Sequence, residues 1–94
     1  MREEKAIKIS EIMKILSDPG RVQILNKLFD LRGGMCVNEL ADFINSSHSA
    51  TSHQLAKLEI QGLVSSFREG QSIYYEIKDS LLSKKIKKVL KEFN

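Results

Sequence analysis

Residues 37–64 read VNELADFINSSHSATSHQLAKLEIQGLV. Leu40, Phe43 and Ile44 recur at helical spacing and should form the buried side of a short helix. Glu39 lies three residues after Cys36, the spacing of a capping box, although the cap is ordinarily Ser or Thr. Asn45 stands where the chain must turn sharply, and Asn tolerates a left-handed backbone better than most residues. Ser47 then reads as the N-cap of a second helix over residues 48–61. Its apolar positions, Ala50, the Thr51 methyl, Leu55, Leu58 and Ile60, leave His48, Ser49, Ser52, His53 and Lys57 on other faces, and Gly62 ends it. A short helix, a tight turn and a second helix that begins with small polar side chains is how a helix-turn-helix presents its recognition helix to the DNA major groove.

The flanking sequence extends this unit. Residues 64–67 and 72–77 (VSSFREGQSIYYEI over 64–77) can pair across Glu69-Gly70-Gln71, with Gly70 supplying the positive φ of a tight hairpin. Upstream, Ile9, Ile12, Met13 and Leu16 form a helical stripe within residues 4–16, and Ile7 and Ile15 widen it. Asp18-Pro19 restarts a helix over residues 19–31, with Asp as N-cap and Pro at the first helical position. Val22, Ile24, Leu25, Leu28 and Phe29 are its inward residues, Gly33-Gly34 stops it, and Met35 begins a short extended piece. The last helix starts near Asp79-Ser80 and carries Leu82, Ile86, Val89, Leu90 and Phe93 on one side and lysines on the other. The expected fold is mainly α with a small β-hairpin (α+β): four helices, the hairpin and a fifth helix, a winged helix-turn-helix. It forms one domain over residues 1–94.

Bulk properties narrow the function. Ninety-four residues bury a modest core, so a second chain sharing it would help. The chain is 41% hydrophobic and 29% charged, ordinary for a globular protein, so disorder is not expected. A net charge of +3 favours an anionic partner only weakly; Lys84, Lys85, Lys87, Lys88 and Lys91 crowd the end of the chain. No signal peptide and no membrane-spanning run is read, and a single cysteine cannot build an internal disulfide, which fits a reducing cytoplasm.

Ser47, His48, Ser49 and Ser52 are small or polar enough to approach base edges, and serine adapts to either kind of base while discriminating weakly. A helix start also offers free N–H groups to a phosphate. Arg68 lies at the hairpin tip, where a wing would reach backbone or minor groove, and Lys57, Arg21 and the C-terminal lysines are lesser phosphate candidates. Ser49 and Ser52 are the expected base contacts, with His48 and His53 beside them. No Ser/His/acid or Cys/His constellation and no Gly-rich phosphate loop is visible, so no enzyme and no cofactor is expected.

ILSDPGRVQIL, MCVNELADFI, SSHSATSHQLAKLEIQGLV and REGQSIYYEI, in that order, resemble the ArsR/SmtB family of winged-helix repressors over about residues 12–77. The resemblance implies a homodimer joined through the first and last helices, residues 3–17 and 79–93. It also implies an inverted-repeat operator on double-stranded DNA with half-sites about one helical turn, roughly 34–36 Å, apart. Family members usually let go of DNA when an inducer, often a metal ion, binds.

The familiar metal site reads E-L-C-V-C-D-L, and here the stretch is Gly34-Met35-Cys36-Val37-Asn38-Glu39-Leu40. One thiolate beside an amide is a poor site for a soft metal. The second familiar site needs Asp and His on the last helix, and residues 79–94 contain no His. His48 and His53, about 140° apart on a helix, cannot chelate one ion. No metal is therefore expected, and either an unidentified small inducer releases the protein or its own concentration sets occupancy. Cys36, at a helix N-terminus, is the one residue with sensing chemistry, as a thiolate that pairs between chains or accepts a small adduct. The alternatives are thus a thiol-sensing repressor acting through Cys36, or a protein-interaction module that leaves its recognition helix unused.

Overall fold

The computed structural model describes all of residues 1–94. Helix α1 (Glu3–Ile15) leads into α2 (Pro19–Phe29), a two-residue strand β1 (Met35–Cys36), α3 (Val37–Phe43), α4 (His48–Ile60), the hairpin β2 (Val64–Glu69) and β3 (Ser72–Ile77), and α5 (Leu81–Lys91). The strands form one antiparallel sheet in the order β1-β3-β2. The short extended piece at Met35 thus completes the sheet, pairing with Tyr74 and Tyr75 on the far edge of β3. Glu69 pairs with Ser72, so the hairpin turns through two residues, with Gly70 at φ +64 in the first of them.

Local signals account for the element boundaries. Asp18 accepts the Arg21 N–H at 3.0 Å and Pro19 opens α2. Asn45 turns the chain between α3 and α4 at φ +54. Ser47 accepts the Ala50 N–H at 3.1 Å to cap α4, and Ser80 and Ser83 cap α5 reciprocally. Cys36 and Glu39 form the box at the start of α3, with a thiol where Ser or Thr is usual.

The core gathers one stripe from each helix. Ile24, Leu25 and Leu28 of α2, Leu40 of α3, Leu55 and Leu58 of α4 and Ile86 of α5 close around Leu63, Val64 and Tyr75. Helical phase corrects several expectations of burial. Val37, Leu40 and Ala41 are the buried face of α3, and Phe43 lies about 100° off that face. It is 53% exposed, with the Lys27 ammonium 4.6 Å above its ring. In α4, Thr51, Leu55 and Leu58 face inward, which turns Ala50 outward and leaves Ile60 87% exposed on the opposite side. In α1, Ile12 and Ile15 are buried, while Ile9 and Met13 are 40% and 48% exposed.

Only the last turn of α1, through Ile12, Ile15 and Leu16, joins the core, and residues 1–11 are all exposed. The domain extends 47 Å along one axis and 23 Å along the others.

Arg21 also departs from the sequence expectation. Its guanidinium donates to the Ile15 and Lys14 carbonyl oxygens at 2.9 and 3.1 Å and to Gln54 Oε1 at 3.0 Å, and the Gln54 amide donates to Asp18 at 3.0 Å. This half-buried lattice ties the end of α1, the start of α2 and the middle of α4, so Arg21 is a latch, with all three guanidinium nitrogens engaged inside the domain. Arg21→Ala is expected to cost about 2–3 kcal/mol, because charge-assisted bonds are lost and acceptors orphaned together. Urea denaturation measures it. An unchanged midpoint with weakened DNA binding would return Arg21 to the phosphate contacts.

Candidate nucleic-acid interface

The inward phase of α4 dictates its outward row. Ser49, His53 and Ala56, spaced by four and three residues, lie opposite Leu55 and Leu58 and are all exposed. Lys57 and Ile60 continue this face toward the C-terminal end. Ser47, expected beside the bases, spends its hydroxyl on the cap and stands 3.4 Å from the Ser49 hydroxyl. Ser52 is half-buried. It lines a cleft of about 240 Å³ with Cys36, Asn38 and His48 on one side and Gln71, Ser72 and Ile73 of the hairpin on the other.

His48, the first residue of α4, is exposed, and its Nδ1 lies 2.6 Å from the Asn38 side-chain oxygen. The bond joins the two helices of the helix-turn-helix at their exposed ends. Nothing in residue spacing announces it, because the partners belong to different elements. Arg68 is exposed near the hairpin tip and sits in register with Ile73. Phe67 and Tyr74 stack across the hairpin with ring centroids 5.5 Å apart, which stiffens the wing that carries Arg68. Behind it, Ser66 donates to Glu59 at 2.7 Å and ties the wing to α4.

The electrostatics of this face are unusual for a polyanion surface. Residues 36–78 hold Lys57, Arg68 and Lys78 against Glu39, Asp42, Glu59, Glu69 and Glu76, whereas residues 79–94 hold five lysines against Asp79 and Glu92. The chain's excess positive charge therefore lies outside residues 36–78, on α5 and in the segment before α3. The positive groups this face offers are Lys57, Arg68 and the free N–H groups at the start of α4.

Cys36 is half-buried at the N-cap of α3. Its thiol and its backbone N–H both bond to Glu39, and they hold that carboxyl below the usual carboxylate range. No three His, Cys, Asp or Glu side chains come together anywhere in the chain. The metal site that the family resemblance implies at the start of α3 does not fit these residues: Cys36 is the one soft donor, and the Asn38 oxygen is already engaged by the His48 ring.

Residues 18–66, from the cap of α2 into the wing, match the family model of the bacterial regulatory proteins of the arsR family. The chain belongs to the arsR family. It is 38% identical over 71 residues to the cadmium resistance transcriptional regulatory protein CadC of Listeria innocua, an alignment covering 76% of this chain and 59% of that protein. The alignment thus takes in less than two thirds of CadC. It is also 33% identical over 87 residues to the transcriptional repressor SdpR of Bacillus subtilis, covering 92% and 93% of the two chains. The homodimeric winged helix-turn-helix DNA-binding domain from Mycobacterium bovis superimposes with a TM-score of 0.76 at 26% identity, over 99% of this chain and 87% of that one. The arsR family is one of DNA-binding regulators, not enzymes, and this member has the winged helix-turn-helix fold expected from its sequence. No helix of it is long and apolar enough to cross a membrane.

Proposed function

We propose that this arsR-family chain is a sequence-specific transcriptional repressor that acts in the cytoplasm as a homodimer on inverted-repeat operator DNA. The observation that carries the reading is the outward row of α4, with Ser49 and His53 exposed between a short helix and a stiffened wing that ends in Arg68. In this reading Ser49 and His53 approach base edges in the major groove. His48 and Ser52 flank them, Ser47 presents the helix start, and Lys57 and Arg68 contact phosphate or minor groove. Ile7, Ile9 and Met13 of α1 and Phe93 beyond α5 are apolar and exposed, and residues 3–17 and 79–93 pair with the same segments of a second copy. That α1 joins its own core through one turn supports this pairing, because the rest of its apolar surface gains cover only from outside. The residues at Cys36 and Asn38 do not build a metal site, so either a small inducer of other chemistry releases the operator or the protein's own concentration sets occupancy.

Fluorescence anisotropy with the protein's own upstream DNA and a scrambled duplex, at two salt concentrations, tests the reading. Sequence-preferring binding that weakens as salt rises is expected, because the cations displace counterions from the DNA. Binding to neither duplex would instead favour an interaction module. Because this face carries so few cations, Arg68→Ala is expected to weaken binding to all sequences alike and to lower the salt slope by about one per protomer. Unchanged affinity at low salt would remove the wing from the interface.

A further inference from the structure

A carbonyl oxygen cannot donate a hydrogen bond. With the Asn38 oxygen 2.6 Å from Nδ1, the His48 ring must carry its proton on Nδ1. In a ring that carries one proton, Nε2 is then a bare acceptor, since the bond made by one ring nitrogen fixes the tautomer. His48 is the first residue of α4 and exposed, so this acceptor stands where a recognition helix meets base edges. In the major groove the matching donors are the exocyclic amino groups of adenine and cytosine, whereas guanine offers only acceptors there.

We propose that Asn38 is a positioning residue for sequence readout: by fixing the tautomer of His48, it makes the recognition helix select an amino-bearing base, adenine or cytosine, at one position of each half-site. This role rests on α4 entering the major groove, and it places a specificity determinant outside that helix. Asn38 occupies a surface position of α3, and its amide contributes no burial to the core. Its effect on DNA is carried by the His48 ring.

The test is selection of duplexes from a randomised pool, followed by relative affinities for every single-base change in the selected site. The proteins compared are the unaltered chain, His48→Ala, Asn38→Ala, the double variant and Asn38→Asp. The unaltered protein should prefer adenine or cytosine at one position by about threefold to tenfold, the reach of one good hydrogen bond. Each alanine variant should lose that preference while keeping the others, and the double variant should lose no more than either single one. An aspartate at position 38 keeps the acceptor and favours a protonated ring, so Nε2 becomes a donor, cytosine should be rejected, and the preference should move to edges that accept, guanine N7 and O6 or thymine O4. Melting temperatures should agree across the set, since both side chains are exposed. Three results would overturn the proposal: Asn38→Ala leaving the preference intact, Asn38→Ala weakening all positions uniformly, or additive losses in the double variant. Absence of any base preference in the unaltered protein would sink the repressor reading as well, which distinguishes the two failures.

Discussion

Gly34→Ala is expected to destabilise the domain by about 3 kcal/mol or more, while Gly33→Ala next to it costs about 1 kcal/mol. Both glycines have positive φ, +85 at Gly33 and +73 at Gly34. A Cβ at Gly33 would meet open space, so that substitution carries only the backbone penalty of the left-handed region. A Cβ at Gly34 would be driven into the Tyr75 carbonyl of β3, and backbone cannot swing aside as a flexible side chain can. Relief requires β1 to leave β3, and with it the Cys36 cap that starts α3 and sets the approach of the helix-turn-helix to the sheet. Urea denaturation of the two variants under one condition measures the difference. Equal losses would show that β1 can shift without cost and that the close approach to Tyr75 is not a constraint.

Ile9→Glu combined with Met13→Glu is expected to turn the proposed dimer into monomers and to weaken binding to the proposed inverted-repeat operator by about 100-fold or more. Two recognition helices on one rigid body make the second half-site contact intramolecular, and separating them forfeits that effective concentration. Ile9 and Met13 are exposed in the single chain, so the carboxylates disturb no core contact there and the monomer should stay folded. In an apolar interface the same carboxylates would be desolvated without partners. Sedimentation with operator titration reads both effects, and affinity for an isolated half-site should hardly change. A doubly substituted protein that remained dimeric with full operator affinity would place the interface elsewhere.

The elements of this chain were legible in its sequence because each is signalled locally. Asp18-Pro19, Ser47, Ser80, Asn45, Gly62 and Gly70 act within a few residues of themselves, through caps and positive-φ turns, and all stand where their spacing implied. The core leucines of the helices followed from period alone, whereas Leu63, buried between α4 and β2, was not among them. The errors came where phase had to be known to within a fraction of a turn. A seven-residue helix such as α3 offers too few apolar positions to fix its inward face, so Phe43 went to the wrong side, and α1 hid its phase behind apolar residues on two faces.

Sequence by itself thus determined the fold class, the order of elements, the family resemblance and the polar start of α4, since those depend on short-range chemistry and on repeated motifs. Tertiary structure alone decided which side chains are free to act. Arg21 and His48 are both DNA ligands by residue type, yet Arg21 is tied to carbonyls of α1 and to Gln54, while His48 is held by Asn38 with one ring nitrogen to spare. Gly33 and Gly34 are the same letter with the same sign of φ, and only the distance to β3 separates them. These facts depend on groups brought together by packing from 6 to 41 positions apart along the chain, and a hydrogen bond or a clash falls off within an ångström. Residue spacing carries no such information.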